Sequence, residues 1–494
     1  MIETGSGPVR GRSEQHTAAF LGIPYAAAPQ GAARFGPPQP HAPWSSVLDA
    51  TDYGPTAPQP RRDAFGSLDM SPYFGPGWVR GDDYLTVNIW APAAAGRPAM
   101  VFVHGGGFVS GSNRSALYDG SAFARDGVVL VAVNYRLGIP GFLHLPDAPD
   151  NRGLLDVLAA LRWVRDNIAA FGGDPDNVTL FGQSAGATLV GAVLADPQSE
   201  GLLRRAIVQS GNGTGAFTRN QAGIVTAALG ESLGLTPSAA ALAETSDDAL
   251  VEAMPALAGL ELAVNGDVDP LAGLSAFSVV LDQQPATAVA AGRARGIDLL
   301  LGSNADEGNL YLAPVGKLSG TTEEDIRALA AQVHPHPEAL VAAYRAAYDR
   351  YSLGQLRATI LGDALFGAGT RRLADAHTGS THAYRFTWQS QTLDGQLGAA
   401  HTMEVPFVFD TTDVPALHGP QAVLGTEPPP ADLASRMHAT WIRFATTGDP
   451  GWPEYTATDP VTMLIGDSWK AVSDGPLAWP DPRDDHRRPV HPTV

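Results

Sequence analysis

Continuous apolar runs punctuate the chain at residues 100–103 and 128–133, each closed by a polar or glycine-rich turn. Short β-branched and apolar runs bounded in this way predict strands buried on both faces. Residues 154–170 follow another rhythm, with Leu155, Leu158, Leu161 and Trp163 among the apolar positions of a predicted helix. A short strand is predicted at 178–181 and a helix of small residues at 185–195. Further apolar strands are predicted at 206–208, 299–301, 383–386 and 463–465. Strands alternating with helices indicate an α/β protein with a mainly parallel sheet covered on both faces.

Residues 24–82 read as proline- and glycine-rich loops, ahead of the first strong core strand at 100–103. Residues 215–375 are rich in alanine and leucine and read as mostly helical, interrupted by the strand near Leu300. They are therefore expected to be helical insertions, at about 215–295 and 310–380, within one domain spanning 1–494.

Composition narrows the chemistry. The 494 residues include no cysteine, which removes thiol nucleophiles, disulfides and cysteine–zinc sites together. The net charge of -19 argues against nucleic acid or an anionic membrane as partner. No apolar run is long enough to span a bilayer, and no basic segment followed by a hydrophobic stretch opens the chain. The expectation is a soluble cytoplasmic enzyme, acting as monomer or dimer.

Gly182-Gln183-Ser184-Ala185-Gly186 is the one G-x-S-x-G segment in the sequence. An apolar strand leads into it and a helix of small residues leads out, the setting of a nucleophilic serine on a strained turn. Glycines two residues either side relieve the crowding that side chains would cause there. His104-Gly105-Gly106-Gly107-Phe108 follows the strand at 100–103. Consecutive glycines let backbone N–H groups converge on one point, with the Ala185 amide as a further donor, to hold an oxyanion. The loop lacks the Lys-Ser/Thr of a phosphate-binding P-loop and the spacing of a dinucleotide site.

Thirteen histidines leave the general base open on counting alone. His401 lies in a loop after the strand at 383–386, whereas His377 and His382 lie before that strand or at its start. Glu307 follows the strand at 299–301 and precedes Gly308. Asp306 is an equally good acid on physical grounds.

Taken together, these segments resemble the type-B carboxylesterases, the family of bacterial para-nitrobenzyl-type esterases and cholinesterases. The likeness is carried by Phe20-Leu21-Gly22-Ile23-Pro24-Tyr25-Ala26, Arg34-Phe35, Asn134-Tyr135-Arg136-Leu137-Gly138 and Asn151-x-Gly153-Leu154-Leu155-Asp156. Its most specific block is Phe171-Gly172-Gly173-Asp174-Pro175 leading to Phe181-Gly182-Gln183-Ser184-Ala185-Gly186. The resemblance implies an α/β-hydrolase fold and a serine carboxylesterase that cleaves small-molecule esters through an acyl-enzyme on Ser184, with no metal or organic cofactor. It selects Glu307 over Asp306, supports His401, and assigns the oxyanion donors to Gly106, Gly107 and Ala185. It further implies a second hydrogen-bonded layer in which Ser210 and Glu404 steady His401, and that Arg34–Asp82 and Arg136–Asp156 are structural ion pairs. Three departures stand out. Gln183 occupies a position where the family usually has Glu, Tyr84 stands where a disulfide cysteine commonly sits, and Trp78 does not match the spacing of a choline-binding tryptophan. Rival readings are an amidase or carbamate hydrolase on the same three residues, and a non-catalytic cholinesterase-like binding protein.

Overall fold

The computed structural model describes residues 1–14, 16–264 and 266–473. Eleven strands build its main sheet: β1 (Arg12–Glu14), β2 (Thr17–Pro24), β3 (Thr86–Pro92), β4 (Arg97–Val103), β5 (Val129–Val133), β6 (Gly173–Gln183), β7 (Arg205–Gln209), β8 (Asp298–Asn304), β9 (Thr381–Phe386), β10 (Thr462–Ile465) and β11 (Trp469–Val472). Their order across the sheet is β11-β10-β9-β8-β7-β6-β4-β5-β3-β2-β1. From β10 to β5 every neighbour is parallel, and antiparallel pairs close both flanks.

The central strands bury both faces, and their side chains alternate between two cores as the pleat requires. Val101, Val103, Val129, Val131, Leu180, Leu299 and Leu301 belong to one core. Met100, Phe102, Leu130, Ala132, Phe181 and Leu300 belong to the other. Helix α1 (Arg152–Asn167) buries Leu154, Val157, Leu158, Leu161 and Val164 and exposes Arg162 and Arg165. Helix α2 (Ala185–Ala195) is buried along nearly its whole length. A helix enclosed on all sides packs closest with small side chains, which accounts for its Ala- and Gly-rich sequence.

The apolar pattern predicts no strand at 17–24 or 86–92, yet these residues form the long antiparallel pair β2–β3. Polar Asn88 interrupts the apolar run of β3, but it is buried with its side chain accepting from Gly22 N at 2.8 Å and donating to Asn113 O at 2.8 Å. The 215–375 stretch contains α3 (Arg219–Leu233), α4 (Glu323–Val333), α5 (Pro337–Ala347), α6 (Leu353–Gly362) and α7 (Ala368–Ala376), with α6 and α7 joined by a π-helical turn at Asp363–Gly367. Residues 258–264 and 266–284 form no helix, although they fall within the stretch that reads as mostly helical.

Candidate active site

The carboxyl ends of β4, β6, β7, β8 and β9 open onto one region, where parallel sheets commonly place their ligands. Ser184 directly follows β6 and caps α2 with φ 59° and ψ −125°. A non-glycine residue holds such a conformation only when its surroundings impose it. Here the Ser184 amide donates to Gln209 O at 2.9 Å. A side chain on Gly186 would overlap the Val103 carbonyl, and one on Gly182 would meet the Gly186 carbonyl carbon at 2.7 Å. Both flanking glycines follow from how closely the turn presses on β4.

His401 Nε2 stands 2.8 Å from Ser184 Oγ, and its Nδ1 stands 2.6 Å from Glu307 Oε2. With the carboxylate accepting, Nδ1 carries the proton and Nε2 is left to accept from the serine hydroxyl. The other Glu307 oxygen accepts from Ser210 Oγ at 2.6 Å and from Asn304 N at 2.7 Å. Asp306 turns elsewhere: its Oδ2 accepts from Ala399 N at 3.0 Å and Gln389 Nε2 at 2.9 Å.

Ser210 and Glu404 lie in a hydrogen-bonded layer behind the Glu307–His401 pair. Ser210 bonds to Glu307 rather than to His401. Glu404 accepts from Asn304 Nδ2 at 2.7 Å and Gln209 Nε2 at 3.3 Å. Full burial, and then the Glu307 charge, push the Glu404 carboxyl up to about 7. Sequence reasoning missed Asn304, whose only local signal is its place in the segment Asn304-Ala305-Asp306-Glu307. It also missed Phe366, which stacks on His401 at 4.0 Å with the rings 7° apart. Phe366 is 35 residues before His401 in the sequence and lies on the π-helical turn, so no periodicity announces the contact.

The glycine loop is bent sharply, with φ 116° at Gly106, 65° at Gly107 and 66° at Phe108. Val109 N and Ser110 N both donate to Gly106 O, which folds the loop back on itself. His104 anchors its start: the ring stacks on Tyr135 at 4.6 Å, and the Tyr135 hydroxyl donates to His104 O at 2.8 Å. Gly106, Gly107, Ser184, Ala185 and His401 line a single pocket. Gln183 lines it too, with Nε2 at 3.4 Å from His401 Nε2. Among the described residues no cluster of three or more histidine or carboxylate side chains is arranged for a metal ion, and no helix is long and apolar enough to cross a membrane.

The description "Carboxylesterase family" belongs to the family model that matches residues 1–478. The chain belongs to the carboxylesterase family. It is 34% identical to the para-nitrobenzyl esterase of Bacillus subtilis over 100% of this chain and 99% of that protein. It is also 34% identical to the phenmedipham hydrolase of Pseudarthrobacter oxydans, over 97% and 98% of the two chains. A solved carboxylesterase of Geobacillus stearothermophilus superposes with a TM-score of 0.82 at 34% identity, covering 97% of this chain and 99% of that one. The fold is the α/β-hydrolase fold, and the protein is a serine carboxylesterase, a carboxylic ester hydrolase.

Within this carboxylesterase, Arg136 and Asp156 form a fully buried pair at 2.7 Å. Arg34 does not pair with Asp82. Its Nε faces Asp247 at 3.4 Å and its Nη1 donates to Thr245 O at 2.6 Å, because the 239–253 segment folds over this arginine and leaves Asp82 exposed. Trp78 does not line the pocket, and its ring is covered by the Arg80 guanidinium at 3.5 Å.

Proposed function

We propose that this carboxylesterase works through an acyl-enzyme on Ser184, with His401 as general base and acid and Glu307 as the residue that orients it. The observation that carries this reading is the unbroken hydrogen-bonded row Glu307–His401–Ser184, which ends in the same pocket as the glycine loop. His401 takes the Ser184 proton as Oγ attacks the ester carbonyl, and the amides of Gly106, Gly107 and Ala185 receive the oxyanion. The alcohol leaves with the proton from His401, and water then attacks the acyl group by the same route. The aromatic walls of the pocket, among them Phe65, Tyr73, Phe74, Phe108, Tyr311 and Phe366, support aryl and benzyl esters as substrates. So does the similarity to a relative named for a para-nitrobenzyl ester. We further propose that the chain acts as one catalytic domain, since a single sheet runs from β1 to β11 with the helical segments inserted between its strands.

Replacement of Ser184 by Ala tests the reading. Turnover of a para-nitrophenyl ester should fall by on the order of 10⁴–10⁶ in kcat with the fold retained by circular dichroism. Retention of more than about a tenth of the activity would remove Ser184 from the reaction.

A further inference from the structure

Among the described residues lining the pocket, Arg62 is the one formally charged side chain. It is a cation in a protein of net charge -19. Its guanidinium carbon lies 4.9 Å from the ring centroids of both Phe65 and Phe74, which hold it against the pocket wall. A methyl group built on Gly107 would meet Arg62 Nη1 at 4.0 Å, so the guanidinium borders the glycine loop beside Ser184. Among the described residues Arg62 has no carboxylate partner and no hydrogen bond. The adjacent Asp63 is taken by Arg61 at 2.6 Å.

An arginine stripped of part of its water and given no counter-ion keeps its charge and bears the cost. Burial does lower the Arg62 guanidinium from its ordinary value. An anion entering the pocket would offset that cost with charge-assisted hydrogen bonds. No carboxylate in the lining competes for it: the neighbouring Tyr311 is a phenol whose ionisation burial pushes up, and Gln183, next to the serine, is neutral where a glutamate would repel an anionic ligand. We propose that Arg62 receives a carboxylate of the substrate, so that the favoured esters are half-esters of dicarboxylic acids or esters of hydroxybenzoate-like acids. This rests on the reading of Ser184 as the nucleophile in the same pocket.

Two matched pairs of esters distinguish the acyl side from the alcohol side. Para-nitrophenyl hemiglutarate is compared with para-nitrophenyl valerate, and 4-acetoxybenzoate with 4-methylphenyl acetate. In at least one pair the anionic member should have the higher kcat/KM. Arg62→Gln should lower the anionic-to-neutral ratio at least about tenfold, mainly through KM, and Arg62→Lys should recover part of it. Free glutarate should inhibit the wild-type enzyme competitively, less so at high salt, and at least about tenfold more weakly after Arg62→Gln. An unchanged ratio in both pairs overturns the proposal. If Arg62→Gln fails to fold, the wild type alone decides: discrimination against the anionic ester in both pairs, or no competition by glutarate, overturns it equally. Turnover of the neutral esters by wild type and its loss in Ser184→Ala report on the nucleophile separately, so the two readings fail in different columns of the same experiment.

Discussion

Asp306 and Glu307 are consecutive, yet the turn after β8 aims one at the backbone of residue 399 and the other at the His401 ring. Only the second carboxylate sits where it can fix the imidazole tautomer. Glu307→Gln should therefore lower kcat by about 10³–10⁴-fold, the scale seen when a triad acid becomes an amide. Asp306→Asn keeps an acceptor for the Ala399 amide and should cost less than about tenfold; the opposite order in steady-state kinetics would move the acid to Asp306. Residue chemistry left these two acids and several histidines level, because the partners are 94 and 217 positions apart in the sequence and only the sheet brings them together. The family resemblance, not the local pattern, separated them. Glu404 carries a pH signature of its own. Its carboxyl rises from an ordinary 4.5 to about 7 in the folded protein. Between those values the unfolded chain has released a proton that the folded one keeps, so stability falls as pH rises through this window and is fully present below it. Glu404→Gln removes the titration. In urea unfolding at pH 5 and pH 8, wild type should lose about 2–3 kcal/mol relative to this variant on going to the higher pH. A constant difference would place the Glu404 titration outside that window.

At the scale of elements, the strands buried on both faces were the most legible, since β5 and residues 99–103 of β4 are uninterrupted apolar runs. β2 and β3 were not, because Gly22, Pro24, Asn88 and Pro92 break their pattern, which is compensated by pairing with each other, by the pairing of β3 with β5, and by the 113 segment. Helix α2 was legible from end to end because close packing leaves more than half of it alanine and glycine, with the rest mostly leucine and valine. Residues 258–264 and 266–284 escape the mostly helical pattern for the opposite reason: their alanines and leucines fit a helix, but apolar side chains such as Leu262, Leu271 and Phe277 serve instead as isolated plugs in one core. The junction of β6 and α2 shows how narrow such packing is. Gly186→Ala forces a methyl into the Val103 carbonyl and should destabilise by about 3 kcal/mol or more. Gly223→Ala, on α3, meets nothing within 4 Å and should stabilise by about 0.4–1 kcal/mol. Thermal unfolding of the pair, measured against wild type, checks both signs at once.

Across the whole molecule, Arg136 ties distant parts of the chain into one frame. Besides Asp156 on α1 it donates to Arg34 O at 3.0 Å and Gly36 O at 2.7 Å, and neither side chain of the pair reaches solvent. Asp156→Asn would leave a buried guanidinium without its counter-charge and should cost about 3–5 kcal/mol in urea unfolding; a loss below about 1 kcal/mol would mean that water reaches the pair. The sequence marked this pair, but it assigned Arg34 to Asp82, because nothing in a linear reading shows that residues 239–253 fold over it. The same frame separates two kinds of wall around the pocket. Residues 310–311 and 365–366 reach the imidazole region, through Tyr311 and Phe366, as well as the pocket. The segments near 62–74 and 271–275 line the pocket while the Glu307–His401–Ser184 row hangs from strand ends elsewhere. Two hydrogen bonds tie those segments to the bond-breaking apparatus, from the Tyr73 hydroxyl to Thr402 O at 3.2 Å and from Ser275 Oγ to Gly107 O at 2.9 Å, so descendants of this chain can drift in diet most freely at the wall positions that carry neither.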